Sequence, residues 1–86
     1  MDVGHLVTMA NDIAAFFDAE AGKDGAAESV RAHIARFWEA RMRRAIIAHE
    51  QQGGDGLSAT ARAAVRRLAP PVDTETRPRR PDSANQ

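Results

Sequence analysis

Apolar side chains recur at three- and four-residue intervals through most of this chain. Leu6, Met9, Ala10, Ile13, Phe16 and Phe17 trace one face of a helix, with Thr8, Asn11, Asp12 and Asp18 on the other side. This predicts a first helix over about residues 3–19. The segment Ala21-Gly22-Lys23-Asp24-Gly25 has the composition of a turn, and Asp24 suits the N-cap of the helix that follows. A second helix is predicted over about 26–51, where Val30, Ile34, Phe37, Trp38, Met42, Ala45 and Ile46 sweep half the circumference. Gly53-Gly54 supplies the left-handed positions that end it. Ser58 as N-cap opens a short third helix whose Ala61, Ala64, Val65 and Leu68 share a face, and Pro70-Pro71 stops it. Beyond the prolines Val72 is the only large aliphatic residue. The pattern therefore predicts an all-α domain over residues 1–68, a helical hairpin plus a short third helix, and a disordered tail over 69–86.

At 86 residues the chain forms one small domain, whose core is marginal on its own. There is no cysteine to build a disulfide framework or a thiolate metal site, so a partner becomes the favoured stabiliser. The start, Met1-Asp2-Val3-Gly4-His5, lacks a basic leader region, and no apolar run reaches the length of a membrane span. The chain reads as cytoplasmic. Its net charge is zero, yet the charges are divided. Residues 1–29 hold six acids against Lys23, whereas 30–68 hold eight arginines against Glu39, Glu50 and Asp55. An antiparallel hairpin brings these opposite charges together, although exposed pairs contribute little individually.

Catalytic chemistry is hard to assemble from these residues. His5, His33 and His49 stand in no metal-ligand spacing, and Ser29, Ser58 and Thr8 lie outside any nucleophile elbow. Gly53-Gly54-Asp55-Gly56 has glycines but lacks the following Lys-Ser/Thr pair of a phosphate loop. The sequence predicts no catalytic, cofactor-binding or metal-binding residue. Nucleic acid is an alternative partner, because Arg36, Arg43 and Arg44 line a helix face beside two aromatic residues. The lack of net positive charge and the acidic first helix argue against it.

The stretch Arg36-Phe37-Trp38-Glu39-Ala40-Arg41-Met42-Arg43-Arg44 holds the only tryptophan and four arginines. On a continuous helix Arg41 falls inside the apolar arc, between Phe37 and Trp38. A cation there must reach water or find a carboxylate or carbonyl partner, and that partner can belong to another chain. Phe37, Trp38, Arg41, Met42 and Arg43 are the candidate partner-binding residues. The alternative for Trp38 is to pack on Phe16 and Phe17 in the domain's own core, and self-association through the same face is a further option.

Three stretches together resemble the delta subunit of the soluble, molybdenum-containing, NAD-dependent formate dehydrogenases. They are His5-Leu6-Val7-Thr8-Met9-Ala10-Asn11-Asp12-Ile13 with Phe16-Phe17; His33 through Arg43; and Gly53-Gly54-Asp55-Gly56-Leu57-Ser58 leading into Val65-Arg66-Arg67-Leu68. The family often has proline where this chain has Ala40 and Ala59. A proline at position 40 would start or kink a helix, which opens the alternative of a bend near Glu39. The resemblance implies a non-catalytic accessory subunit that docks on the catalytic alpha subunit and supports its assembly, stability or cofactor insertion. The other chains of such a complex would carry the molybdenum bis-pterin guanine dinucleotide, the iron–sulfur clusters and the flavin mononucleotide (FMN), none of which this chain is expected to bind.

Overall fold

A computed structural model describes residues 2–71. Its helices are α1 (Val3–Phe37), α2 (Ala40–Gln51) and α3 (Ala59–Arg66). No strand occurs among the described residues, so the all-α expectation holds. The expected disordered tail lies outside the described residues from position 72 onward.

Asp2 caps α1 by accepting a hydrogen bond from the Gly4 amide at 3.0 Å. The helix then breaks at one residue, Gly22, with φ 71° and ψ 170°. That conformation is closed to residues with a Cβ, so the glycine is what permits the corner. The two arms, 3–21 and 23–37, fold against each other. Phe17 and His33, about 24 Å apart on a straight helix, have ring centroids 6.3 Å apart. The hairpin is thus correctly expected, but its five-residue turn contracts to Gly22, and Asp24 lies within the helix instead of capping it.

The predicted second helix is not continuous to residue 51. Trp38 and Glu39 adopt extended backbone (ψ 141° and 157°) and separate α1 from α2. The bend therefore forms with Ala40 in place, without the proline of the family pattern. Its cause lies in packing: the break directs Trp38 into the core while α2 starts on a new axis that buries Ile46 and Ile47. Gly53 and Gly54, both at positive φ, end α2 as anticipated, and the Gly54 amide donates to the His49 carbonyl at 2.9 Å.

Ser58 caps α3 as expected, accepting from the Ala61 amide. The helix ends at Arg66, before the prolines, and Leu68 turns back into the core. Ala10 and Ala14 of α1 and Ala61 and Ala64 of α3 are fully buried. These small side chains allow α1 and α3 to pack closely, and theirs is the most extensive helix–helix contact. Leu6, Val30, Ile34, Trp38, Ile46 and Val65 complete the centre.

Candidate interaction surface

The glycine segment is fastened to α1 by one side chain. The Asn11 amide donates to the Gly56 carbonyl at 2.9 Å, and its oxygen accepts from the Ser58 amide at 2.8 Å. His49 Nε2 is 2.7 Å from the Asp55 carbonyl, which can only accept, so Nε2 carries the proton. Arg62 donates to the Gly54 carbonyl, and the Thr60 hydroxyl to Asp18. The carbonyls of Gly54, Asp55 and Gly56 are thereby engaged within the fold, and the amides of Gly53, Gly54 and Leu57 donate to backbone carbonyls. Ion pairs add to the frame at the surface. Arg66 meets Glu50 at 2.7 Å, while Glu28 lies between Arg31 and Arg67. The hydrogen bond from Arg31, with help from the charge of both arginines, holds the Glu28 carboxyl below its usual range.

The five predicted partner-binding residues are divided by the break at 38–39. Phe37 is 65% exposed, whereas Trp38 is 6% exposed and belongs to the core. Arg41 leaves the apolar arc because the helix register is not continuous, and its side chain stands exposed. The reason for requiring a partner for its charge is thereby removed. Met42 packs half-buried against the core. Arg43 is the arginine held within the fold: its Nη1 donates to the Ala35 carbonyl at 2.9 Å, and its Nε is buried with no partner. Ala35 sits in the last turn of α1, where carbonyls lose their helical donors, so Arg43 caps that end with a favourable charge. With Arg43 folded inward, the basic face grouped in the sequence is interrupted.

A different surface emerges from both arms of α1. Phe16 and Phe17 meet edge to face at 5.1 Å, Phe17 meets His33, and His33 meets Phe37 at 4.8 Å. Arg36 extends its guanidinium over Phe37, 5.6 Å from the ring centre. Phe16 is 59% exposed, and it and Phe37 are the exposed large hydrophobic side chains of the described residues. Beside them lie two open depressions. One, of about 360 Å³, is lined by Asp12, Ile13, Phe16, Phe17 and His33. The other, of about 280 Å³, runs from Phe17 and His33 to Arg36 and Phe37.

Trp38 is buried as its core alternative required, but the aromatic neighbours of Phe17 are Phe16 and His33. Two signals in the sequence mark the strip. Adjacent Phe16 and Phe17 point about 100° apart on a helix, so one of them lies at the edge of the apolar face, and His33 and Phe37 lie one turn apart.

Among the described residues no group of three or more His, Cys, Asp or Glu side chains could hold a metal ion. Nor is any helix there long and apolar enough to cross a membrane. The arrangement offers apolar contact and exposed charge, which suits binding. No curated protein and no solved structure matches the chain. The family model described as NADH-dependent formate dehydrogenase delta subunit FdsD matches residues 5–65, a span holding Asn11, the Gly22 corner, the aromatic strip and the glycine loop; the chain belongs to that family.

Proposed function

We propose that this chain is a non-catalytic, cytoplasmic accessory subunit that docks on the molybdenum-containing catalytic subunit of an NAD-dependent formate dehydrogenase. Its role there is to support that subunit's assembly, stability or cofactor insertion. The observation carrying this reading is the exposed aromatic strip ending at Phe37, on a chain of the delta-subunit family. Aromatic and arginine side chains dominate binding energy at protein interfaces. Phe37 and Arg41 reach outward at the α1–α2 junction, while Trp38, Met42 and Arg43 hold that junction from within. Molybdenum, iron–sulfur and flavin chemistry belongs to the other subunits in this reading.

The test is affinity purification of the tagged full-length chain from its native cell. Recovery of molybdenum- and flavin-containing chains is the expected result. Arg41→Ala and Phe37→Ala should keep their helical content yet recover less of those chains. A wild-type chain that recovers no dehydrogenase subunit would refute the proposal.

A further inference from the structure

The larger depression on the aromatic strip has features that specify what fills it. Ile13, Phe16, Phe17 and the His33 ring give it apolar walls. Asp12 stands on its rim, exposed and without an ion pair among the described residues. Asp12 and Phe16 are one helical turn apart, so carboxylate and ring lie side by side along α1. A cation held there gains a carboxylate partner at the edge of a surface from which the incoming side chain displaces water. At the other end of the strip the charge is opposite, because Arg36 lies over Phe37.

We infer that this cleft receives one protruding apolar side chain from a helix of another dehydrogenase subunit, with a lysine or arginine one turn away that pairs with Asp12. The inference rests on the accessory-subunit reading and gives that docking a place and a chemistry. A helix fits because its i and i+4 side chains share a face at the spacing that separates Asp12 from Phe16. A second copy of this chain fits less well. The exposed parts of Phe16 and Phe37 amount to on the order of 250 Å², well short of the roughly 800 Å² per side of a stable complex. A larger subunit can extend its contact onward to the junction at Phe37 and Arg41.

The experiment uses the full chain co-expressed with the other subunits of its own dehydrogenase, with a photo-crosslinking amino acid replacing Phe16. The expected cross-link joins position 16 to a helical segment of another subunit carrying Lys or Arg within one turn of a large apolar residue. In parallel, Asp12→Asn should weaken association about threefold and Asp12→Lys about tenfold, with normal helical content in both. Reversing the charge of the identified base should restore binding to the Asp12→Lys chain. A cross-link to a second copy, to a segment without a base, or to nothing overturns the inference, as does unchanged affinity of Asp12→Lys. Those results leave the accessory-subunit reading standing if the wild-type complex still forms; failure of the wild-type complex removes both.

Discussion

The two sides of α1 are engaged in different ways. Toward α3 and the glycine loop, its alanines pack closely and Asn11 and Asp18 bond to partners 42 to 47 residues away in the chain. On the side bearing Phe16 and Phe37, rings touch one another and then face solvent. The neighbours Phe37 and Trp38 mark the division within one residue, since the extended backbone at 38 sends one ring outward and the next inward. Side chains that serve the fold are recognised here by the partners they hold. The aromatic strip has apolar area that no intramolecular contact covers, and it is the surface the proposed docking would use.

The largest expected effect tests the inner side. Trp38→Ala removes the largest side chain of the core and should cost about 3–5 kcal/mol, enough to unfold much of so small a domain. Thermal or urea unfolding followed by circular dichroism measures it, and a stable, fully helical variant would contradict the placement of Trp38. Asn11→Ala comes next. It removes both hydrogen bonds that fasten the loop to α1, leaving water to take their place, and stability should fall by about 1 kcal/mol, with faster amide exchange at Leu57 and Ser58. The outer side should respond in the opposite way. Phe16→Ser and Phe37→Ser remove exposed rings and should leave stability within about 0.5 kcal/mol of the parent while raising solubility. A large loss from either would erase the contrast between the two sides.

The smallest effect is electrostatic. The Glu28 carboxyl titrates below its unfolded value, so its contribution is present above the ordinary carboxylate range and disappears as pH falls through the depressed value. The pair is fully exposed, so only a slight decline of Tm in acid is expected from it. Glu28→Gln should lower the neutral-pH Tm slightly and flatten that part of the acid profile. An unchanged profile would show that the Arg67 contact contributes nothing to docking α3.

Much of the fold was legible in the sequence because it depends on local chemistry. Gly53-Gly54 end a helix and Ser58 starts one for reasons confined to a few residues, and the buried stripe of α3 follows its own period. The two breaks were harder. Gly22 was seen within a turn, but that a single residue makes the corner depends on the arms packing together afterwards. At Trp38 the helical period runs on without interruption and favours one continuous helix; the proline of the family pattern offered a bend near Glu39 as the alternative, and the extended backbone at 38–39 with its buried indole is that bend. The continuous reading carried Arg41 into the wrong arc and concealed Arg43 as the cap of α1. The candidate surface was legible only at Phe37 and Arg41. Ile13, Phe16, Phe17 and His33 come together across the corner, which no one-dimensional periodicity displays. Asn11 had a comparable disguise, as its position on the polar side of the first helix gave no hint of a partner beyond residue 50.

The Asn11 clamp also has a kinetic meaning. Its partners follow by 45 and 47 residues, more than half the chain, whereas the arms of α1 meet through a corner of one residue. Closing so long a loop costs roughly 3 kcal/mol of chain entropy before any contact rewards it. The helical hairpin should therefore form early, with the glycine loop and α3 joining in a later, slower step that Asn11 completes. Until that step the alanine-lined face of α1 is as bare as the aromatic one, and the unfinished chain presents two adhesive faces where the finished one leaves only the aromatic face uncovered.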